Sequence, residues 1–287
     1  MISLECGDCF DTWRAQARQL LGHGIDPSTV SWNGAADLFG AGAELPVGPG
    51  PYRPKVPPEL PELLRQAAGY RGPQRWSVLY EVLWRVAHGD RTAMLAGEAL
   101  GSELQRRVKH VRRETHHLHA FLRFVPLPAA RQGPEFVAWY EPAHDVLRAG
   151  CEHFIGRMGK ASWLIATPSD GAWFDGATLN YQRPCPPAWQ ALARAGEDPG
   201  GELWLAYYRH LFNPARLNPK VMQGHMPGRF WKHLPEGPLI PALVSDAQLG
   251  KRRDGQARGV GLRKGKQVAM AVAKPPGPAA SPGRAGD

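Results

Sequence analysis

Three groups of residues in this chain carry side chains that can do chemistry. In the first, Pro214-Ala215-Arg216 and Pro227-Gly228-Arg229, an arginine follows a proline by two positions. Proline suits the first position of a helix, where the amide has no intrahelical partner. Arginine does not, because the first turn carries the positive end of the helix dipole. A bound anion resolves the conflict, since free amides and guanidinium would all point at it. The stretch, with Lys232 beside it, therefore reads as a phosphate-contacting surface. The plainer reading has both arginines reaching sideways to nearby carboxylates.

The second group lies on the longest expected helix. His110, Glu114 and His117 fall at i, i+4 and i+7, while Arg112, His116, His119 and Arg123 line the neighbouring face. Imidazole and carboxylate on one face can hold a metal or relay protons. The competing reading, a solvated polar face in which Glu114 neutralises arginines, outweighs a metal site because no further local ligands converge. With Arg113 added, the face is basic enough to contact phosphate.

The third group is Tyr140-Glu141-Pro142-Ala143-His144-Asp145. Glu141 and His144 have the i, i+3 spacing of an acid–base pair. Alternatively Pro142 opens a helix, and Glu141 and Asp145 complement its dipole. Cys6 and Cys9 have metal-like spacing, but no second such pair completes four ligands. No Walker A loop, GxGxxG after a strand, HExxH or GxSxG occurs, so neither a cofactor nor a metal is expected.

These groups need elements to position them. Asp11 reads as the N-cap of a helix with Trp13, Ala17 and Leu20 on one face. Residues 40–58 are rich in Gly and Pro and read as a long loop. Pro61 starts a helix to about Ala68. Trp76, Leu79, Tyr80, Leu83, Trp84 and Ala87 form the apolar stripe of another. Ser102 and Gln105 have capping-box spacing. Leu104, Val108, Val111, Thr115, Leu118 and Leu122 then trace one line along the histidine-rich helix. Phe121–Val125, Phe136–Tyr140 and Trp163–Thr167 read as strands. A helix from Pro142 to about Met158 separates the last two. Asp175-Gly176 signals a type I′ hairpin. Helices return at Leu203–Leu211 and at the two proline starts. The pattern predicts an α+β fold, a small and mostly antiparallel sheet covered by helices, with helix-rich N- and C-terminal parts.

Composition sets the class. A chain of 287 residues that is 43% hydrophobic can bury a sizeable core. No apolar run approaches the ~20 residues of a membrane helix, and Glu5 and Asp8 interrupt any signal-peptide pattern. A cytoplasmic location without membrane contact is expected. The net charge of +9 is uneven, with +7 of it on residues 251–287. Residues 1–245 are expected to form one domain and 246–287 a disordered basic tail. Claims about nucleic acid must then rest on local patches of the nearly neutral body.

Read together, FDTWRAQARQLL, WSVLYEVLWR, RRETHHLHAFLRF, FVAWYEPAHDVL, SWLIATP, WLAYYRHLFNPARLNP and MPGRFWKHLPE resemble a bacterial DNA-metabolism protein family. Its core is a domain of unknown function. Members lie fused to, or encoded beside, UdgX-type uracil-DNA glycosylases and a DNA-repair radical-SAM protein. The resemblance spans roughly residues 10–240. It implies association with DNA repair and names no reaction. The family pattern supports Glu114, His116, Arg123, Tyr140, Glu141, His144 and Asp145. It also supports Trp163, Thr167, Pro168, Asn213, Pro214, Arg216, Pro227, Trp231 and Glu236. Its members often carry a basic residue where this chain has His117. No glycosylase domain is present, so uracil excision is not implied.

Three functions follow as expectations. The first is a DNA-repair accessory protein that binds DNA through Arg112, Arg113, Arg123, Arg216, Arg229 and Lys232, with a separate radical-SAM or glycosylase partner. The second is a nucleic-acid-processing enzyme in which Glu114, His116, Glu141, His144 and Asp145 converge in one cleft. The third is a tryptophan-rich module that docks the radical-SAM protein.

Overall fold

The computed structural model describes residues 1–33, 45–48, 50–128, 133–196, 198, 200–213 and 217–249. The N-terminal part opens with two three-residue strands, β1 (Ile2–Leu4) and β2 (Val30–Trp32), paired in parallel. No strand is expected there, because runs so short cannot display alternation. Between them α1 (Phe10–Gly22) buries Trp13, Ala17 and Leu20 on the expected face. Cys9, not Asp11, takes its N-cap position, and Asp11 lies in the first turn. Residues 45–48 and 50–59 carry no helix or strand; the rest of the expected loop lies outside the described residues. Helices α2 (Leu60–Ala68) and α3 (Arg75–Ala87) follow, and their apolar stripes close a first core.

Helix α4 (Ala99–Phe121) joins this part to the next. Leu104 and Val108 belong to the first core, Val111 and Leu118 to the second. The expected apolar line is therefore correct, but it serves two cores in turn. The capping box is not formed. The helix begins three residues before Ser102, and Gln105 donates to the carbonyl of Met94 at 2.7 Å.

The second core rests on a five-stranded sheet. Its strands are β3 (Val125–Pro126), β4 (Phe136–Trp139), β5 (Trp163–Ala166), β6 (Gly171–Phe174) and β7 (Leu179–Gln182). They lie in sequence order, and only the β4–β5 pair is parallel, with Phe136 opposite Trp163. The connection between those two contains α5 (Leu147–Met158), as a parallel crossover requires. The α+β architecture with a mostly antiparallel sheet is thus as expected, and about half of the chain is helical.

Several boundaries differ. Helix α4 takes up Phe121, and β3 (Val125–Pro126) shares only Val125 with the expected strand. Asp175 to Thr178 form a four-residue loop, not a two-residue type I′ turn. The Asp175 carboxylate accepts from the amides of Ala177 at 2.8 Å and Thr178 at 2.7 Å. Pro142 starts no helix, and α5 begins only at Leu147. The reason is that the intervening amides are taken elsewhere. Ala143 donates to Glu114, and Asp145 donates to the carbonyl of Gly69 at 2.7 Å. Gly69 allows this approach, since a Cβ there would stand 2.8 Å from the Asp145 carbonyl oxygen.

The C-terminal part adds α6 (Pro187–Arg194), α7 (Gly201–Leu211), α8 (Pro219–His225) and α9 (Leu239–Gln248). A 3-10 turn spans Gly228–His233. Helix α9 runs beyond the expected domain end at 245, and the basic tail from 250 onward lies outside the described residues. No described helix is long and apolar enough to cross a membrane.

Candidate functional site

Glu114 is the hub. Its helix position places it beside Val111 and Leu118 on the buried side of α4, where it is 3% exposed. A carboxylate buried there needs partners, and they come from two distant segments. Oε1 accepts from the Ala143 amide at 2.8 Å, and Oε2 pairs with Arg229. His117 Nδ1 lies 3.6 Å from Oε2, too long for a hydrogen bond, and has no other partner among the described residues. Burial pushes the His117 imidazole below its ordinary pKa; the charge of Glu114 opposes this, and Arg113 and Arg229 add to it.

Tyr140 adjoins the hub at 2% exposure, and its ring stacks on Phe230 with centroids 5.7 Å apart. Its hydroxyl has no hydrogen-bond partner among the described residues. Burial, followed by the charge of Glu114, drives the phenol well above its ordinary pKa. Phe230 also stacks on Phe121 at 5.1 Å, and the Arg229 guanidinium lies over the Phe230 ring at 4.5 Å. The 3-10 turn is thereby clamped onto α4.

The rest of the 140–145 loop is claimed in the same way. Glu141 pairs with Lys232 and accepts from the Trp139 indole at 3.1 Å. His144 packs on Tyr70 at 4.6 Å and on His110 at 6.0 Å. Burial holds its imidazole below the ordinary value; Glu114 opposes this, while His110, Arg229 and Arg71 assist. Asp145 sits among three arginines. Arg71 Nε donates to Oδ1 at 2.7 Å, Arg183 pairs with the same oxygen, and Arg75 lies 2.8 Å from Oδ2 as an ion pair without hydrogen-bond alignment. Burial opposes ionisation, but the Arg183 hydrogen bond and the charges of Arg75, Arg183 and Arg71 win, so the carboxyl titrates below its ordinary value.

Two further carboxylates complete this cluster. Arg75 pairs with Asp8 at 3.1 Å, and Arg183 lies 3.7 Å from Asp170. Three arginines thus meet three aspartates, and the cluster ties the N-terminal part to the sheet. Sequence reasoning missed Arg71, Arg75 and Arg183. They lie far from Asp145 in the chain, and no local spacing announces them.

Of the expected catalytic residues, Glu114, Glu141, His144 and Asp145 each meet partners from elsewhere in the chain, Glu114 being joined to the 140–145 loop through the Ala143 amide, while His116 is exposed. His117, which the resemblance had discounted, is the histidine that reaches Glu114. Every one of the four is engaged by internal partners. Among the described residues no three His, Cys, Asp or Glu side chains stand close enough to share a metal ion.

The paired-arginine reading changes most. Arg229 is held by Glu114 and Lys232 by Glu141, so neither is aimed at an anion. Pro227 leads into a 3-10 turn, not an α-helix, and Arg216 with Pro214 lies outside the described residues. The remaining motif residues fasten the fold. Trp163 is fully buried in β5, and Thr167 donates to Asp170 at 2.5 Å and ties the β5–β6 turn. Trp231 donates to Met226 at 3.1 Å, and Glu236, buried, accepts from Trp204 at 2.8 Å. Asn213 lies two residues past the end of α7.

A different basic surface remains. Lys109, Arg112, Arg113 and His116 recur at i, i+3, i+4 and i+7 on the exposed side of α4, with Arg123 just past its end. Arg112 donates to Gln66 at 2.9 Å, Arg113 to the Gly224 carbonyl at 2.7 Å and Arg123 to the Ala120 carbonyl at 3.0 Å. Neutral acceptors leave their charges without a carboxylate partner among the described residues. The two acidic residues of α4 are engaged elsewhere, Glu114 as above and Glu103 by Arg106 and Arg107. The Arg106 hydrogen bond, with Arg107, holds the Glu103 carboxyl down at about 2.

The fold and site define an α+β protein whose central helix presents a buried carboxylate hub on one side and a basic stripe on the other. The chain belongs to the family described as a domain of unknown function, DUF4130, whose model matches residues 73–236. That range holds α3, the hub and the stripe, and leaves α1 and α2 outside. No curated protein and no solved structure matches the chain.

Proposed function

We propose that this protein binds nucleic acid along the exposed face of α4. One observation carries the reading: Lys109, Arg112, Arg113 and Arg123 face solvent without a carboxylate partner among the described residues, whereas the cations of the hub are all paired. Lys109 to His116 span seven helical steps, ~10 Å, about three phosphate steps of axial rise along one strand. The family resemblance adds the context of DNA repair, so the protein acts as an accessory to a separately encoded radical-SAM or glycosylase-type enzyme.

Fluorescence anisotropy with single- and double-stranded DNA at several salt concentrations tests it. The combined variant Lys109→Ala, Arg112→Ala, Arg113→Ala should lower the slope of log K against log salt by about 2–3. The same loss should appear in a chain without residues 250–287. If removing that tail abolishes all binding and the combined variant changes nothing, the stripe is not the interface.

A second reading, a nucleic-acid-processing enzyme, draws on the partnerless Tyr140 hydroxyl and His117 Nδ1 beside Glu114. It requires nuclease or related activity on DNA or RNA that Glu114→Gln removes without unfolding the protein. The third, docking of the radical-SAM protein, draws on Trp204, Tyr207 and Leu211, which leave an exposed apolar line on α7.

A further inference from the structure

A cleft of about 590 Å³ opens between α1 and the segment that leads into α2. Of its lining residues only Leu83 falls within the family-matched range, and none belongs to α4. Its floor is apolar, formed by the buried Trp13, Leu21, Leu60 and Leu64. Its rim carries Arg14 and Arg18, one turn apart on α1, and Arg53. Among the described residues no carboxylate lines it. Arg53 is turned onto the carbonyls of Gly50 and Tyr52, while Arg14 and Arg18 are exposed. Trp13 is 1% exposed, so its ring gives the floor a buried aromatic surface. The wall is fixed by backbone. Tyr52 donates to the Gly22 carbonyl at 2.9 Å, and a Cβ on Gly50 would stand 2.0 Å from that same oxygen.

We infer that this cleft binds a small organic anion with an apolar body, its head on Arg14 and Arg18 and its body on the Trp13–Leu60–Leu64 floor. Each part of the site selects one part of that ligand. An apolar floor in a concave site favours an alkyl or aryl group. Arginine forks recognise carboxylate and phosphate heads. A purely polar anion gains nothing from the floor, and a neutral apolar molecule leaves the guanidinium pair unused.

Titration of the full chain with 1-naphthyl phosphate, 1-naphthol, decanoate and inorganic phosphate, read by calorimetry and tryptophan fluorescence, tests this. Saturable one-to-one binding of naphthyl phosphate or decanoate is expected, and which of the two binds tighter distinguishes an aryl from an alkyl body. Naphthol and inorganic phosphate should each bind at least tenfold more weakly. Arg14→Gln with Arg18→Gln should weaken the anion at least tenfold. Ala15→Trp, an exposed position lining the cleft, should block it while leaving the melting temperature unchanged. Equal affinity for naphthol and naphthyl phosphate, unaltered affinity in the arginine variant, or no saturable binding would each overturn the assignment. The variant Lys109→Ala, Arg112→Ala, Arg113→Ala should bind naphthyl phosphate as the parent does, so this site and the DNA interface stand or fall separately.

Discussion

Glu114 on α4 accepts a 2.8 Å hydrogen bond from the backbone amide of Ala143, 29 residues away. That bond brings the histidine-rich helix and the 140–145 loop together, and it explains why the loop is not helical. The loop has exchanged intrahelical acceptors for a tertiary one.

Glutamine at position 114 keeps a carbonyl for the Ala143 amide and loses only the charge facing Arg229. Alanine strands both. Glu114→Ala should therefore lose ~3 kcal/mol and Glu114→Gln about half of that, measured by urea unfolding. Equal losses would mean that the amide bond contributes little and the ion pair nearly everything.

Asp145→Ala removes the one anion shared by Arg71, Arg75 and Arg183, and should cost ~3 kcal/mol. The pH dependence follows from the lowered carboxyl pKa. The unfolded chain binds the proton more readily than the native one, so this contribution is complete above the ordinary value of 3.8 and is lost as pH falls below it. Asp145→Asn should accordingly flatten the acid limb of the stability curve. An unchanged acid limb would show that other carboxylates govern it.

His117, His119 and His144 all titrate below the ordinary 6.5, burial being the leading cause in each. Just below 6.5 the unfolded chain takes up more protons than the native one, so stability rises with pH through this window. The melting temperature should be several degrees lower at pH 5.5 than at 7.5. Proton titration by NMR gives the individual values; imidazoles that titrate above 6.5 would reverse the sign.

Tyr140 carries a buried hydroxyl with no partner among the described residues. Tyr140→Phe should then be neutral, or stabilising by up to ~1 kcal/mol. A loss beyond that would reveal an acceptor for the hydroxyl in solution.

Much of this arrangement is legible in the sequence, and the legible part has a common cause. The 3.6-residue period fixes which side of α4 is buried, so Leu104, Val108, Val111 and Leu118 are readable from spacing alone. The same period places Glu114 beside Val111 and Leu118, and His117 beside Glu114, while His116 joins Lys109, Arg112 and Arg113 outside. That spacing itself groups His117 with Glu114; His116 comes from the family pattern. Asp145 and its three arginines were not legible, because pairs separated by 38 to 74 residues leave no local pattern. The start of α5 was misplaced for a related reason: proline permits a helix, but the tertiary acceptors at Gly69 and Glu114 decided otherwise.

Because α4 contributes Leu104 and Val108 to one core and Val111 and Leu118 to the next, neither core can melt while leaving that rod intact for the other. Calorimetry should show one endotherm, and α4 amides near position 110 should be the last to exchange with deuterium. A DNA strand lying along the rod would then slow exchange in both halves at once.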